Sequence, residues 1–272
     1  MSRPRISPPK PVPDPAVAVA GGPRLAPAPA VEGALAVALA PSYSSIREQA
    51  TVWHLDGRAW SIDPDGPKAV RVLWQGAAPE LWAAGEGGAI WRRVRGKWLV
   101  LVAGKPSPEP HAYAISSDGA DGVWIVGTTL KRCRAGKCVT WESQIPSNIF
   151  PLVSVWSTSA RNAYAVMGAT GLTTDSQQRV GTDLGPSPAL TAWDGKTWKA
   201  IDTEGMPWLA AVTATGPDDV WALGWNGLVL HFDGKRWETS AVRELSSPTH
   251  IFALDKVVRV VGENGKVLRL SR

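Results

Sequence analysis

Tryptophan recurs along this chain at an almost regular interval, and that interval constrains the fold more than any other sequence feature. The chain has 15 tryptophans but only 3 tyrosines and 3 phenylalanines. Five of the tryptophans follow a short glycine-containing turn, and successive members lie 38, 43, 57 and 39 residues apart. These five are Trp60, Trp98, Trp141, Trp198 and Trp237. A period near this length indicates a chain built from repeated supersecondary units.

The repeating unit is clearest in residues 207–240, where four runs with strand character alternate with turn sequences. Asn226-Gly227 and Asp233-Gly234 separate the last three runs. Such pairs predict type I′ hairpin turns, because both central residues of that turn need positive φ. A second set of tryptophans marks the second run, each three residues before a glycine: Trp82, Trp124 and Trp221. Each unit is therefore interpreted as a four-stranded antiparallel meander, which is one blade of a β-propeller.

The repeats predict an all-β fold, a β-propeller of about five four-stranded blades, with six as the alternative. Four blades correspond to residues 70–101, 111–143, 151–202 and 207–240. In the five-blade interpretation, residues 249–270 begin a last blade that residues 51–63 complete. The chain ends would then share one sheet, and the ring would close without exposed edges. Residues 266–270 and 52–55 both look like third strands, which leaves six blades with missing pieces as the alternative.

Two segments of the clearest repeat carry a family resemblance: DDVWALG at 218–224 and DGKRW at 233–237. They resemble the propeller repeats of bacterial exported proteins, which are similar in style to the Asp-box repeats of sialidase-like propellers. In an Asp-box, serine, aspartate and glycine stand at wider spacing, whereas here aspartate and glycine are adjacent. The resemblance covers residues 51–272 and implies the architecture; proteins with this scaffold differ widely in function.

The N-terminal segment has a different composition from the rest of the chain. Residues 1–41 contain 10 of the 23 prolines and no aromatic residue. Such a segment cannot bury a core, so we predict that residues 1–44 are a disordered tail or a degenerate export signal, and that residues 45–272 form the propeller. The pattern Ala38-Leu39-Ala40 resembles a signal-peptidase site, although prolines and Glu32 interrupt the apolar region before it. We expect an exported protein, in the periplasm, at the cell surface or outside the cell; the cytoplasm is the alternative.

The charge pattern excludes some partners. The net charge is +5, from 29 basic and 24 acidic residues, and the sequence has no run of basic residues. A nucleic-acid-binding protein needs a basic stripe or patch. A membrane span needs roughly 18 apolar residues in a row, and no such run is present. We expect a monomer that binds no nucleic acid and has no membrane span.

Cys133 and Cys138 are the only cysteines, and they flank the turn of the second complete repeat. Facing residues of a short hairpin have Cβ atoms about 4.5–5.5 Å apart, which is close to the separation that a disulfide spans. We predict a disulfide between them, with a pair of free thiols as the alternative. A zinc site would need two more ligands, and no partner pair is present.

The sequence gives little support for catalysis or for a metal. A sialidase-like site needs an arginine cluster, an acid and a tyrosine nucleophile, whereas Tyr113 and Tyr164 fall within strands. The histidines form no metal-binding motif, and His54 and His231 share one repeat position, two residues before Asp-Gly. Residues 85–88 (Gly-Glu-Gly-Gly) superficially resemble a phosphate loop but occupy a hairpin-turn position. We predict no enzyme, no metal and no cofactor.

The loops that vary between blades are the candidate binding face. Loops between second and third strands should emerge beside the loops that join successive blades. An insertion at residues 169–189 enlarges one of them, and long loops on a rigid scaffold often carry function. The candidate binding residues are Glu86, Thr128, Thr129, Asp175, Arg179, Trp225 and Glu263.

The leading functional prediction is a non-enzymatic scaffold for protein–protein interaction through this face. The alternative partner is a glycan, in a lectin-like propeller that stacks sugar rings on Trp225. A glycoside hydrolase is a third and weaker hypothesis. The exposure of the Trp225 side chain would separate the lectin hypothesis from ordinary hairpin packing.

Overall fold

Antiparallel sheets account for almost all of the regular structure. The computed structural model describes residues 35–38, 51–56, 59–75, 81–105, 112–141, 151–168, 190–201, 209–224, 227–242, 248–254, 257–262 and 266–270. The described residues form six sheets. Every strand pairs with the strand that neighbours it in sequence, so each sheet is a meander.

The strands are numbered in chain order. Sheet one contains β1 (Leu35–Ala38), β2 (Thr51–Asp56) and β3 (Ala59–Ile62). Sheet two contains β4 (Val70–Gln75), β5 (Leu81–Gly85), β6 (Ile90–Val94) and β7 (Lys97–Val102). Sheet three contains β8 (Ala112–Ser117), β9 (Val123–Gly127), β10 (Leu130–Arg134) and β11 (Lys137–Thr140). Sheet four contains β12 (Leu152–Ser159), β13 (Asn162–Met167), β14 (Leu190–Trp193) and β15 (Trp198–Ile201).

Sheet five contains β16 (Leu209–Gly216), β17 (Asp219–Gly224), β18 (Leu228–Phe232) and β19 (Trp237–Ala241). Sheet six contains β20 (Pro248–Leu254), β21 (Val257–Gly262) and β22 (Val267–Leu270). The first strands of sheets two to six lie side by side, in the order β4, β8, β12, β16 and β20. This arrangement places the first strands inside and the fourth strands at the outer rim, as in a propeller.

The five-blade interpretation with a shared blade is wrong. Residues 51–56 pair with Leu35–Ala38 and with Ala59–Ile62, while β20, β21 and β22 form a separate sheet. In sheet one, β2 and β3 match the third and fourth strands of the repeat in sequence. Strand β1 contacts β4, the first strand of sheet two. Sheet one therefore has strands of the second, third and fourth kinds, and sheet six has the first three among the described residues. The described residues thus form six sheets, the first and last with three strands each, which corresponds to the alternative of six blades.

Strand β1 lies within the segment assigned to the tail. Its four residues pair with β2 in register from Leu35↔His54 to Ala38↔Thr51. The Pro- and Ala-rich composition of residues 1–41 concealed this strand, because strand pairing depends on a partner edge rather than on local composition. The boundary near residue 44 stays a prediction.

Five apolar clusters of described residues hold the sheets together, and each joins two successive sheets. The second-strand tryptophans Trp82, Trp124 and Trp221 are 1%, 0% and 5% exposed. Burying about 200 Å² of indole surface at roughly 25 cal/mol per Å² stabilises by about 5 kcal/mol, as an upper value. These tryptophans recur because every blade packs against the next one.

Sheets three and four share the densest aromatic contact. The ring of Trp124 meets the rings of Trp141, Trp193 and Trp198 edge-on, with centroids 5.5, 5.2 and 5.0 Å apart. Edge-to-face geometry places the positive ring edge on the negative ring face, which adds to the stabilisation from burial. Trp193, which does not belong to the two repeating sets, is thus also part of the blade-to-blade core.

The predicted hairpins are present, but the predicted turn type is wrong for Asp-Gly. Register pairs Phe232 with Trp237 across a four-residue loop, and in that loop only Gly234 has positive φ. The two-residue type I′ geometry occurs instead at Arg95-Gly96 and Ala135-Gly136, where both residues have positive φ. The Asp233 side chain explains the difference, because its Oδ1 accepts backbone N–H groups and stabilises a wider loop.

The predicted disulfide is present. Cys133 faces Cys138 in the β10–β11 register, and the two are bonded across the Ala135-Gly136 turn. The separation of their Cα atoms is 4.1 Å. The two cysteines are facing residues of one hairpin, which is why the sequence pattern could predict the bond.

Candidate binding face

Two kinds of loop lie together at one end of the sheets, as expected from the repeat. The short 3-10 turn Glu86–Gly88 joins the second and third strands of sheet two. The N–H of Glu86 donates to the carbonyl of Ala69, in the loop that enters the sheet, at 3.1 Å. The N–H of Lys105, in the loop that leaves it, donates to the carbonyl of Gly87 at 3.0 Å. The turn is therefore held by both loops that join blades.

The Gly-Glu-Gly-Gly segment is a hairpin turn and does not have the form of a phosphate loop. The N–H of Gly85 donates to the carbonyl of Ala89, and that of Glu86 donates to Ala69, so neither points at a ligand. Gly87 has φ +62°, and a Cβ there would lie 2.1 Å from the carbonyl oxygen of Lys105. Glycine is required at this position because the two backbones come too close for a side chain.

A groove opens between sheets two and three beside this turn. It is shallow, with enclosed space for about one water molecule. Its walls are small and apolar, and Gly88, Thr129 and Lys131 contribute the polar part of its rim; the apolar residues are Ala84, Ala89, Ile90, Ala112, Ile125 and Val126. Neither a cofactor nor a whole side chain fits inside it, so a bound segment would lie across its rim.

Three of the seven candidate residues are described, and one of them, Thr129, lines this groove. Thr128 precedes it in sequence, and its buried Oγ1 has no hydrogen-bond partner among the described residues. Glu86 begins the turn whose last residue lines the groove, and its carboxylate lies 3.3 Å from the guanidinium of Arg71. A buried hydroxyl without a partner is costly, so a polar group that entered beside Thr128 would gain a hydrogen bond.

The other four candidates lie outside the described residues. They are Asp175, Arg179, Trp225 and Glu263. The insertion at 169–189 also lies outside them, as does the side chain of Trp225 on which the lectin hypothesis depends. Their part in binding stays a prediction.

In the turns at the opposite end, the aspartate side chains accept hydrogen bonds from the backbone of their own loops. Asp194 Oδ1 accepts the N–H groups of Lys196 and Thr197 at 2.9 Å each. The hydrogen bond from Lys199, followed by the one from the N–H of Thr197, lowers the pKa of Asp194. At Asp233 the N–H groups of Arg236 and Lys235 lower the carboxyl pKa in the same way. These aspartates shape loops, which agrees with their recurrence in the repeat.

A stacking arrangement recurs in three sheets and has no obvious sequence signal. A cationic or imidazole side chain on the third strand lies over the second-strand tryptophan that it faces. Arg92 is 5.2 Å from the Trp82 ring, Arg132 is 5.0 Å from that of Trp124, and His231 stacks on Trp221 at 3.8 Å; these are the three examples. Only the strand register shows which residue faces which tryptophan.

His231 belongs to this structural arrangement. Its Nε2 lies 2.9 Å from Asp219 Oδ1, the same oxygen that accepts a hydrogen bond from Trp221 Nε1. The second aspartate of DDVWALG, Asp219, thus supports the second strand through its hydrogen bond from the tryptophan of the same motif. Among the described residues, no group of three or more His, Cys, Asp or Glu side chains could hold a metal ion.

Asp118 makes the most extensive charged contacts that the structure describes. Its side chain is fully buried and contacts Arg132 and Arg134. Burial alone would raise its pKa, but hydrogen bonds from Arg134 and Arg132, with those from the N–H groups of Ala120 and Gly122, hold the pKa below its usual value. Arg132 also lies over Trp124, so the carboxylate links the β8–β9 turn to the blade-to-blade core.

Comparison with solved structures decides the architecture. The structure of YCF48 bound to D1 peptide superposes with a TM-score of 0.58 at 16% identity, covering 82% of this chain and 73% of that one. The fold is a β-propeller. The WD40 β-propeller domain of Doa1 gives a TM-score of 0.52 at 12% identity, over 82% of this chain and 76% of that chain. At these identities the likeness concerns the fold alone.

Sequence comparison says less about this chain than structural comparison does. No protein-family model matches the chain. The immune protein Tsi7 of Pseudomonas aeruginosa is 33% identical over 91 residues, and the match covers 28% of this propeller and 28% of that protein. The propeller thus spans less than a third of this curated relative. Its described residues include no helix with the length and apolarity that a bilayer span requires.

Proposed function

We propose that this β-propeller is a non-enzymatic scaffold that binds a partner protein at the groove between sheets two and three. The observation that carries the proposal is the buried Oγ1 of Thr128, which has no hydrogen-bond partner among the described residues and directly precedes Thr129 at the rim of a small apolar groove. A partner segment lying across the groove would cover its apolar walls, and a backbone carbonyl of that segment beside Thr128 would accept from the hydroxyl. Main-chain hydrogen bonds together with apolar side-chain contacts are one mode by which extended peptides are recognised.

The architecture supports the same proposal. Propellers present variable loops on a rigid frame, and YCF48, which is similar in fold, is described with a bound peptide. Tsi7 is named an immune protein, which is compatible with action by binding, but the match is too short a share of either chain to support the proposal. Kinship with Asp-box propellers remains a proposal from the sequence alone.

We also propose that the protein works in an oxidising compartment. The Cys133–Cys138 disulfide supports export, because such bonds are rare where thiols are kept reduced. Mass spectrometry of the protein from its native host, alkylated before reduction, is expected to show no free thiol. Two alkylated cysteines would contradict this compartment. The glycan alternative rests on Trp225, and no described residue favours it.

A peptide-display screen with the full chain tests the binding site. Selected peptides are expected to lose at least about tenfold in affinity on Thr129→Arg, which fills the groove rim with a long side chain. Thr128→Val, which keeps the shape and removes the hydroxyl, is expected to weaken peptides by roughly threefold to tenfold, the equivalent of a hydrogen bond.

The matched control is Thr239→Arg, at an exposed position on the outer strand of sheet five. It introduces the same side chain far from the groove and is expected to leave binding unchanged. Peptides that bind Thr129→Arg as well as the parent protein would refute the groove as the site. Thermal unfolding of each variant shows whether a loss of binding reflects a loss of fold.

A further inference from the structure

Two neighbouring outer hairpins carry basic residues without any acidic residue. The β6–β7 hairpin, residues 90–102, and the β10–β11 hairpin, residues 130–140, contain these basic side chains: Arg92, Arg93, Arg95, Lys97, Lys131, Arg132, Arg134 and Lys137. The equivalent hairpins of sheets four and five also contain acidic residues, namely Asp194, Asp233 and Glu238. Strand β7 contacts β11. The fold therefore assembles a basic surface from segments that are far apart in sequence.

Part of this charge is balanced and part remains exposed. Arg132 and Arg134 contact the buried Asp118, and Arg93 lies 3.9 Å from Asp63. Arg95, Lys97 and Lys137 are exposed at the two turns, and these three form no ion pair with any described residue. They leave a positive potential at one end of β7.

Strand β7 itself is an apolar edge strand. Residues 98–102 (Trp-Leu-Val-Leu-Val) contain no charge and no proline. The side chains of Leu99 and Val100, which point to opposite faces, are 50% and 63% exposed. Within the described part of the chain β7 pairs only with β6, so its other edge presents unpaired backbone groups. The outer strands β15 and β19 carry a charge inside the strand, Lys199 and Glu238, which discourages pairing, whereas the charge of β7, Lys97, is at its first residue.

We propose that β7 is a second binding site, which takes an extended acidic segment of a partner protein as an added strand. Backbone hydrogen bonds along the free edge provide affinity, and apolar side chains of the added strand pack against Leu99 and Val100. Acidic residues at the end of that strand meet Arg95, Lys97 and Lys137. The site lies at the outer rim, away from the groove, and does not depend on the function proposed above.

Charge selects this occupant over a second copy of the chain. Pairing β7 with another β7 would bring two basic hairpins together in a protein of net charge +5, and like charges across a sheet are destabilising. A nucleic acid would satisfy the cations through its phosphates but would leave Leu99, Val100 and the strand edge without partners. An acidic, extended peptide satisfies all three features.

The test uses a fluorescein-labelled peptide with alternating valine and threonine and with glutamates at both ends, measured by anisotropy against the full chain. Saturable binding that weakens with added salt is expected. A peptide with lysines in place of the glutamates is expected to bind at least about tenfold more weakly. Methylation of alternate backbone nitrogens, which removes the donors on one edge, is expected to abolish binding.

Protein variants locate the site. Arg95→Glu, Lys97→Glu and Lys137→Glu combined are expected to weaken the peptide at least about tenfold, and Leu99→Thr with Val100→Thr at least about fivefold. The matched control, Lys196→Glu with Lys235→Glu on the equivalent hairpins of sheets four and five, is expected to have no effect. All these positions are at the surface, and thermal unfolding confirms that each variant folds.

Three outcomes would overturn the proposal. The first is the absence of saturable binding up to about 1 mM peptide, beyond which an interaction is too weak to matter here. The second is equal binding of the N-methylated peptide, which would exclude strand addition. The third is tighter binding of a short DNA duplex than of the peptide, with loss in the same variants. Loss of peptide binding on Thr129→Arg alone would move the peptide to the groove and leave the scaffold function standing.

Discussion

At the residue scale, one buried carboxylate ties a turn of sheet three to two arginines of its third strand. Asp118 accepts hydrogen bonds from two arginines and from two backbone N–H groups of the β8–β9 turn. A buried charge is tolerated only when it is paired and hydrogen-bonded. Because all of these donors converge on one side chain, its removal leaves several groups unsatisfied at once.

Asp118→Asn is expected to reduce the free energy of unfolding by about 3 kcal/mol, because the uncompensated arginines stay beside the tryptophan core. Urea denaturation at pH 7 measures the loss. Asp121→Asn is the matched control, since Asp121 also lies near Arg134 but is largely exposed. A loss below about 0.5 kcal/mol is expected for the control. Equal losses for both variants would contradict the importance of the buried position.

The same carboxylate predicts a dependence on pH. Its pKa is lowered in the folded state, so its contribution is present above the unfolded value of about 3.9 and is lost as pH falls through the folded value. The difference in unfolding free energy between wild type and Asp118→Asn is therefore expected to be full at pH 7 and to shrink below about pH 4. A difference that stays constant to low pH would show that packing, rather than charge, causes the loss.

At the scale of the element, some turns require glycine because two backbones come close together, and others favour it only because φ is positive. Gly87 and Gly96 both have positive φ, but a Cβ at Gly87 would collide with Lys105, whereas one at Gly96 would meet nothing within 4 Å. Gly96→Ala is expected to cost about 1 kcal/mol from backbone strain. Gly87→Ala should cost at least about 2 kcal/mol more, because the turn must move. Thermal and urea unfolding of the pair checks this, and equal costs would contradict the clash.

The type I′ turn of sheet three offers a stabilising substitution. Ala135 has φ +44°, a conformation that asparagine adopts more readily than alanine. Ala135→Asn is expected to raise the unfolding free energy by about 0.5–1 kcal/mol. The control Ala200→Asn, in the outer strand β15, should be neutral or slightly destabilising. Differential scanning calorimetry on both variants decides, and destabilisation by Ala135→Asn would argue against the I′ geometry.

At the scale of the whole molecule, we expect the N-terminal strand β1 to contribute more to stability than the composition of its segment indicates. A deletion of residues 1–34 keeps every described strand and is expected to leave the melting temperature unchanged. A deletion of residues 1–50 removes β1 and exposes an edge of β2, so aggregation and a lower melting temperature are expected. Light scattering and calorimetry on the two truncations measure this. Similar behaviour of both would show that β1 contributes little.

Much of the architecture could be predicted from the residues. The tryptophan period, the paired glycines and the facing cysteines depend on local chemistry, because a hairpin with its turn and its register is complete within about 15 residues. The turn type predicted at Asp233-Gly234 was wrong because the Asp233 side chain accepts hydrogen bonds from the N–H groups of its own loop. The Asp-Gly dipeptide alone does not show this. The candidate residues Thr128 and Thr129 were predicted from loop position, whereas the groove beside them depends on two sheets.

The amino-acid sequence by itself therefore determined the repeat, the blade as the unit and the core tryptophans. Only the tertiary structure decided the number of sheets, because the Pro- and Ala-rich composition of residues 1–41 gives no sign that β1 pairs with β2. It also decided which cations lie over which tryptophans and that two basic hairpins form one surface beside β7. The first two properties depend on strand register, and the third depends on packing between two blades whose separation in sequence carries no local signal.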